Sequence, residues 1–558
     1  MRLCRERIPT VMHEEPYIEG EGFVVVARNE SPETMPIVWK GAGADNSIRT
    51  AANWQDEMGR ELTSCPDLTA FSLVPTFGLA GVTATVDCET YFKGVTFDAT
   101  SDFSLGASGL AKIVLGSGGV DTAVPAEGTR SYLIDVPTEL RQVGEDWLLA
   151  ADTTVTVSRP LSGMGAITLG GSGTLCLSAD NTFSGDLTIN SGFVDATGAP
   201  FALGRAIGEN YNSATVYINQ KSARLHLKDS VIEKTLKSYG YGSNKDRNRL
   251  LFAGTNILKG DFLTGDGDYP QFCSGSILKV YGEIGGWTSY TYFAPWSEDA
   301  TNPGEIYAYG PVTVAGFAVQ NVQFHFCTNG CSTSRYLVGS GGTLHFDYPF
   351  VNDNVSCYAM ISGKSRFNLH GNSQLFGDLY LNDAASPASI TSGDEGPATM
   401  FIHHVEINDS RINKACDLAG RLSVSMGGGG VVNQNLAVST SGDLTVTNGV
   451  WKFLANASWL NGTNFVASGV SDGCKGRISI AQSNTLGKQA KVFLNGKGSM
   501  ELNEGVKQRC LELWIDGVEM PSGTYGSSAS AAQHKDDVHF SGTGVLNARG
   551  RGMVLIFR

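Results

Sequence analysis

GTLCLSADNTFSGDLTI, residues 173–189, is the stretch of sequence that decides the fold. It holds two short segments in which apolar and polar residues alternate, with Ser, Asn, Asp and Gly between them. Alternation with a period of two predicts β-strands, and the residues between the segments predict turns. Leu175 and Leu177 each lie 12 positions before their counterparts Leu187 and Ile189. We therefore expect two strands within one short repeating unit.

The same pattern returns along the chain at a near-constant interval. Leu344 and Phe367 are 23 positions apart, and Leu422 and Leu444 are 22 apart. Strands and turns that repeat every 20–30 residues without helices predict a solenoid, in which each unit buries its apolar face only against its neighbours. Roughly 450 residues at this interval predict about 20 turns stacked ~4.8 Å apart. An array of antiparallel β-sandwiches is the alternative, since it also has short strands at regular spacing.

Composition and charge exclude several classes of protein. Glycine at 69 residues and a charged fraction of 17% argue against a coiled coil, and glycine lacks the strict period of collagen. The net charge of −14 opposes binding to phosphate backbones and to anionic membranes. No apolar run approaches the ~18 residues of a membrane-spanning helix. We therefore expect neither a nucleic-acid partner nor a membrane span.

The sequence from 171 to 192 resembles the autotransporter-associated β-strand repeat, whose pattern runs G-x-G-T-L-x-L-S-G-x-N-T-Y-x-G-x-T-x-I-x-x-G. Ala179 stands at the usual glycine, Phe183 at the tyrosine and Leu187 at the third threonine of the pattern. The resemblance implies a parallel β-helix of the passenger type that is secreted or displayed on a bacterial surface.

Both ends of the chain carry further parts of this resemblance. Trp39-Lys40-Gly41-Ala42-Gly43, followed by 50–54, is similar to the entry motif of large secreted bacterial repeat proteins. Residues 515–518, 523–526 and 540–546 are similar to their closing segment, with Asp516-Gly517 predicted as a hairpin turn. We accordingly divide the chain into an N-terminal leader or capping segment (1–35), a β-helix repeat domain (36–505) and a C-terminal β cap (506–558).

The fold predicted from these observations is all-β: a parallel β-helix solenoid, taken as right-handed, with a small C-terminal β cap. Export would need a signal that is not visible here, because residues 1–7 form a charged head with no apolar segment behind it. Nothing near the C-terminus has the ~10-residue alternating segments of a translocator barrel.

A search for chemistry finds no nucleophile elbow and no phosphate-binding loop, and Gly427–Gly430 is interpreted as a loop between turns. The pair Cys327 and Cys331 lacks the second pair that a zinc site needs, so we interpret it as two buried thiols or a local disulfide. His404 and Glu406 share one strand face, which we interpret as a polar face rather than a metal site.

Two acidic segments are also interpreted as structural rather than as metal sites. His534-Lys535-Asp536-Asp537-Val538-His539 gathers several possible ligands but is predicted as a turn before a strand at Phe540. Asp266-Gly267-Asp268 lacks the further carboxylates of a calcium loop. We therefore predict no metal, no cofactor and no catalytic residues.

The most distinctive segment outside the repeats runs from Trp287 to Trp296. Aromatic rings with polar tips suit sugar faces and protein partners, and alternation would place Tyr290 and Tyr292 on one face. Trp287, Tyr290, Tyr292 and Trp296 are therefore the candidate contacts to a glycan or a cell-surface partner, against the alternative of a loop packed on the solenoid flank.

The function expected from the sequence is that of a non-enzymatic extracellular or cell-surface protein, an adhesin-like or structural surface that contacts glycans. The alternative is a carbohydrate-active β-helix enzyme, a polysaccharide lyase or glycoside hydrolase, which would need paired carboxylates that sequence alone cannot identify.

Overall fold

A computed structural model shows an almost entirely β protein in which stacked parallel strands form a β-solenoid of about 14 turns. The structure describes residues 14–19, 22–27, 34–78, 83–141, 144–239, 249–265, 268–286, 291–295, 302–339, 341–349, 351–352, 357–362, 365–370, 372, 374–382, 389–391, 399–404, 421–425, 431–434, 437–438, 443–455, 457–471 and 474–549. Within these residues the only helix is a single 3-10 turn, Ala51–Asn53, and no helix has the length and apolar character needed to cross a membrane.

The chain divides into two compact units. Unit 1 comprises Met1–Gln271 and Ser276–Gly282, and unit 2 comprises Phe272–Gly275 and Glu283–Arg558. Gln271–Phe272 is the short strand that contains the first division point.

Unit 1 has three sets of stacked strands and an N-terminal hairpin of Glu14–Glu19 and Gly22–Ala27. The first set is Met35–Trp39, Trp54–Asp56, Leu73–Phe77, Thr90–Phe97, Ile113–Thr122, Thr138–Leu140, Glu145–Leu149, Leu161–Gly163, Ile167–Gly171, Leu187–Ile189, Thr215–Ile218, Thr235–Ser238 and Phe262–Thr264. The second is Thr83–Val86, Phe103–Ala107, Arg130–Asp135, Thr153–Val157, Thr174–Leu177, Phe193–Ala196, Arg224–Lys228 and Leu250–Ala253. The third is Val231–Ile232, Thr255–Leu258 and Ile277–Val280.

Unit 2 repeats this arrangement. One sheet holds Gly304–Ala308, Val322–Phe326, Thr343–Phe346, Arg366–Asn368 and Ser389–Thr391. A second holds Thr291–Pro295, Gly316–Gln320, Arg335–Gly339, Tyr358–Ser362, Gln374–Asn382, Thr399–His404, Ala437–Val438 and Ser458–Trp459. Ile284–Gly286 is a further strand at the start of the unit. The strands toward the C-terminus are Arg421–Ser425, Val431–Gln434, Asp443–Phe453, Asn464–Ser471, Cys474–Ile480, Lys491–Gly496, Ser499–Leu502, Lys507–Cys510, Glu512–Ile515, Val518–Glu519, Gly523–Gly526, His534–Lys535, Phe540–Ser541 and Val545–Ala548.

The apolar residues that recur in the sequence are neighbours in the stack. Leu344 lies directly opposite Phe367, and both side chains are fully buried. Leu422 and Leu444 are likewise register partners in parallel strands. The strand pattern alternates buried and half-buried residues, because one face of each strand points into the solenoid and the other points outward. The predicted inward columns are confirmed.

The solenoid has about 14 turns where the sequence predicts about 20, and the interval between its turns is less regular than predicted. Val155 and its partner Leu175 are 20 positions apart, whereas Val194 and its partner Leu225 are 31 positions apart. The additional residues form corner loops that leave the strand register intact. Loop insertions of this kind cost little free energy, so the repeat interval varies while the register of the inward residues is kept.

Buried amide side chains satisfy the backbone at the corners. Asn181 is fully buried; its Oδ1 accepts the Leu161 N–H at 2.8 Å and its Nδ2 donates to the Ala202 carbonyl at 2.6 Å. One side chain thereby connects three successive turns of the solenoid. Buried backbone groups need such partners where the ladder is interrupted.

The entry motif packs as a unit at the start of the described solenoid. Trp39 and Trp54 lie opposite each other in an antiparallel pair, and their rings meet edge to face with centroids 4.9 Å apart. The fully buried Asn53 accepts the Gly43 N–H and donates to the carbonyls of Asp45 and Ser47. These contacts explain why tryptophan and asparagine occur together in this motif.

The C-terminal segment also folds as a β structure. Glu512–Ile515 and Val518–Glu519 form an antiparallel hairpin, and Asp516 and Gly517 between them have positive φ angles of 49° and 77°. The predicted hairpin turn is confirmed. A four-stranded sheet in the order Lys507–Cys510, Val545–Ala548, Gly523–Gly526 and His534–Lys535 accompanies it.

Candidate functional site

The outer face of the first sheet of unit 2 carries an in-register column of rings. Tyr307 lies opposite His325, and His325 lies opposite His345 on the next strand. All three residues alternate with buried neighbours on their strands, so their side chains project outward. Parallel register places equivalent positions directly above one another, and the column follows from that rule.

The rings of this column are stacked nearly parallel. The centroids of Tyr307 and His325 are 4.3 Å apart at 13°, and those of His325 and His345 are 4.0 Å apart at 9°. His370 continues the stack, with its centroid 5.1 Å from that of His345 at 26°. Because the ring faces cover one another, the column offers its nitrogen atoms rather than its faces to a ligand.

A second column lies just beyond the ends of these strands. Cys327, Asp347 and His370 each follow their strand's last outward residue by two positions. His370 has a φ of +46°, an uncommon conformation for a residue other than glycine, and its backbone N–H donates to Asn368 Oδ1 at 3.3 Å. Left-handed backbone at such a residue costs free energy and often marks a site where a side chain must be aimed.

Hydrogen bonds join the two columns into one cluster, which we call the histidine cluster: His325, His345, Asp347 and His370. Asp347 Oδ2 lies 2.9 Å from His325 Nδ1, and its Oδ1 lies 3.3 Å from His370 Nε2. His345 Nδ1 lies 2.8 Å from His370 Nε2. On its other side, His345 Nε2 lies 2.9 Å from Gln323 Oε1.

The electrostatics of the cluster favour a neutral His345 beside an ionised Asp347. Burial, followed by the neighbouring imidazoles of His325 and His370, lowers the pKa of His345 to about 3. For Asp347, burial acts to raise the pKa, but the hydrogen bond from His325 and the surrounding histidines together lower it below its ordinary value. Burial, and then the charge of Asp347, raises the pKa of the Cys327 thiol to about 11.

The cluster has the donor set of a transition-metal site. One ligand atom from each of His325, His345 and Asp347 lies within 4.8 Å of the others, and this is the one such group found within the described part of the chain. Imidazole nitrogen and carboxylate oxygen together are typical ligands of zinc and its neighbours in the first transition row.

The predicted aromatic site lies mostly where the structure gives no description. Trp287, Tyr290 and Trp296 fall outside the described residues. Tyr292 is half-buried at an outward position of the strand Thr291–Pro295, opposite Ala318. Whether the four aromatic residues form one surface therefore stays a prediction.

The structure describes some of the other segments that were weighed as metal sites from the sequence. Asp536 accepts hydrogen bonds from the backbone of Val538 and His539 and from the His539 ring, which is the predicted turn before Phe540. Asp268 is buried against Ser238 and Arg249, while Asp266 and Gly267 lie outside the described residues. The side chain of His404 and the whole of Glu406 also lie outside them.

The two cysteines are both free thiols, so they do not form the local disulfide, and only Cys331 of the two is buried as predicted. Cys331 is buried and lies 3.2 Å from the Tyr336 hydroxyl, whereas Cys327 is half-buried on the other side of the strand end. The Cys327 sulfur is 3.9 Å from Asp347 Oδ2. Cys327 therefore borders the histidine cluster, and Cys331 belongs to the core.

Sequence reasoning missed the histidine cluster, although its signal is present. The segments Tyr307-Ala308-Tyr309, His325-Phe326-Cys327, His345-Phe346-Asp347 and Asn368-Leu369-His370 align when the inward residues are placed in register. The repeat analysis followed the apolar positions only. Applying the same register to the polar positions would have brought the histidines together.

No family model, no curated protein and no solved structure matches the chain. The resemblance to the autotransporter-associated repeat therefore rests on the residues quoted above, and the functional argument rests on the geometry of this chain.

Proposed function

We propose that the protein is a non-enzymatic β-solenoid, secreted or displayed at the cell surface, that serves as an adhesin-like surface for a glycan-bearing partner. The observation that carries this proposal is the arrangement of outward residues in columns that follow the strand register. Thr188, Tyr217 and Lys237 form one such column on unit 1, in the same way as the rings on unit 2. Regularly spaced columns suit a ligand that is itself extended and repetitive.

The interior of the described solenoid is occupied by side chains, which directs binding to the outside. A void in unit 1 lined by Val95, Leu105, Ile113, Leu115, Val120, Ile134, Thr138, Trp147 and Leu161 has a volume of about 10 Å³. That is the space of one water molecule within an almost wholly apolar lining. A sugar chain does not fit in this void, which supports binding at the outer faces.

Tyr292 is the residue through which we propose glycan contact. Its half-buried ring stands at an outward strand position, and buried neighbours on both sides hold the strand in place. An aromatic ring fixed in this way presents apolar area to a sugar at little cost in conformational entropy. The segment Trp287–Trp296 would then supply the other aromatic residues of the surface.

The predicted result for Tyr292→Ala is a loss of glycan binding of at least about tenfold, the size of a moderate anchor residue. The full chain is screened on a glycan array, and its affinity for the best glycan is measured with and without the substitution. Tyr211→Ala is the control, because Tyr211 is also a half-buried tyrosine but lies in a turn of unit 1, outside the strand columns. Equal binding by wild type and Tyr292→Ala would contradict the assignment.

A polysaccharide panel separates the proposal from the enzymatic alternative. The non-enzymatic proposal expects binding without any increase in reducing ends or unsaturated products. Product release that depends on the amount of protein would overturn it in favour of a lyase or hydrolase.

A further inference from the structure

We propose that the histidine cluster binds one divalent transition-metal ion such as zinc on the outer face of unit 2, and that this ion cross-links three consecutive turns of the solenoid. This inference is independent of the proposed surface role. It concerns residues that the sequence patterns left without any function.

The positions of the donor atoms carry the proposal. His325 Nδ1, the carboxylate oxygens of Asp347, His370 Nε2 and His345 Nδ1 follow one another at separations of 2.9, 3.3 and 2.8 Å. Two ligand atoms bound tetrahedrally to zinc at 2.0–2.1 Å lie about 3.3 Å apart. One ligand atom from each of His325, His345 and Asp347 already lies within 4.8 Å of the other two, and His370 Nε2 lies 3.3 Å from Asp347 Oδ1 and 2.8 Å from His345 Nδ1. Binding one ion requires these side chains to turn from their hydrogen-bonded positions toward a common point.

The surroundings of His345 prepare it as a ligand. Its side chain is about nine-tenths buried, and Gln323 Oε1 accepts a hydrogen bond from Nε2. A proton on Nε2 leaves the lone pair on Nδ1, which is the atom that faces the cluster. Side chains that orient a ligand from the second layer in this manner are a regular feature of metal sites.

The chemistry of the donors selects the class of ion. Three imidazole nitrogens and one carboxylate suit zinc, copper, nickel and cobalt, whereas magnesium and calcium require shells of oxygen. The thiol of Cys327 borders the quartet, with its sulfur 3.9 Å from both Asp347 Oδ2 and the His325 carbonyl, and is not one of the four proposed ligands. We assign zinc, with cobalt as its spectroscopic substitute.

The four ligands come from three successive levels of the stack. His325 belongs to Val322–Phe326, His345 and Asp347 to Thr343–Phe346 and the residue after it, and His370 follows Arg366–Asn368. An ion held by all four stabilises the stacked arrangement, since only the folded chain brings the ligands together.

The test uses the full-length chain, stripped of metal with a chelator, dialysed and titrated with Zn²⁺ in a calorimeter. We expect one zinc per chain. His345→Ala and Asp347→Asn should each weaken binding at least about 100-fold, and Gln323→Leu should weaken it about 10–100-fold. His226→Ala is the matched control, because His226 is another outward-facing strand histidine in unit 1, where its ring meets that of Phe193 edge to face.

Thermal unfolding with and without Zn²⁺ provides a second readout. Zinc should raise the unfolding temperature of wild type and His226→Ala but not of Asp347→Asn, which keeps the side-chain shape and so guards against misfolding as the cause. With Co²⁺, visible absorption of a four-coordinate site should appear in wild type and disappear in Asp347→Asn. Absence of stoichiometric zinc in wild type, or equal zinc binding by wild type and both ligand variants, would overturn the proposal.

Discussion

Replacing Phe367 by alanine is expected to destabilise unit 2 by about 3–5 kcal/mol, the range for removing a buried aromatic side chain. Phe367 is fully buried, faces Leu344 across the ladder and meets the ring of Phe346 with centroids 5.5 Å apart. The cavity left by its removal would lie inside a stack of strands that cannot collapse without losing register. Because turns of a solenoid can open locally, hydrogen exchange of the strands around 343–369 is the appropriate measurement.

Arg366→Ala is the control for this effect. Arg366 precedes Phe367 on the same strand and is exposed, and its register partner is Thr343. Its removal should leave the exchange of the same strands nearly unchanged. If the two alanine variants were equally stable, residue 367 would not point into the core and the assigned register would be wrong.

Lys234→Met is expected to abolish a pH dependence of stability that wild type has above neutral pH. Lys234 is fully buried in unit 1; its Nζ donates to the Gly185 carbonyl at 2.7 Å and lies 3.8 Å from the centre of the Phe183 ring. Burial lowers the pKa of Lys234 from 10.5 to about 7, against a smaller opposing effect of Asp186.

The sign follows from where the proton is bound. Between pH 7 and pH 10.5 the unfolded chain holds a proton on Lys234 that the folded chain lacks, so the free energy of unfolding rises by about 1.4 kcal/mol per pH unit. Below pH 7 the folded chain bears the full free-energy cost of burying a charged Lys234, and above pH 10.5 this cost is absent. The cost thus amounts to about 5 kcal/mol at low pH.

Urea unfolding of unit 1 at pH 7.5 and pH 9.5 measures this slope. The difference between wild type and Lys234→Met cancels the contribution of other titrating groups, such as tyrosines and thiols. Lys228→Met is the matched control, because Lys228 is an exposed lysine of the same unit and should keep the wild-type slope. The same slope in wild type and Lys234→Met would refute the buried, neutral state of this lysine.

The inward half of the fold could be predicted from sequence, and the outward half could not. Apolar residues such as Leu344 and Phe367 have one role, so their spacing reports the register directly. The interval at each turn could not be predicted, because corner loops such as that between Val194 and Leu225 vary in length without changing the core. The number of residues between register partners varies from turn to turn, whereas the pairing of inward residues is kept.

The histidine cluster shows why sites are harder to predict than strands. His325, His345 and His370 are separated by 20 and 25 positions, and no local motif connects them. Asp347 and His370 also lie beyond the strand ends, where the left-handed backbone of His370 decides the direction of its side chain. Register explains the column of His325 and His345, but the orientation of His370 depends on its local turn.

The solenoid register requires that inward residues 21–23 positions apart touch in successive turns. A double-mutant cycle on Phe346→Leu and Phe367→Leu tests this contact directly, with the local stability taken from hydrogen exchange. The rings meet at an interplanar angle of 67°, so we predict a coupling free energy of about 0.5–1.5 kcal/mol. The control pair is Phe346 with Phe540, which lies several turns further along unit 2 and should show additive effects. Additive effects for Phe346 and Phe367, within about 0.3 kcal/mol, would contradict the solenoid register.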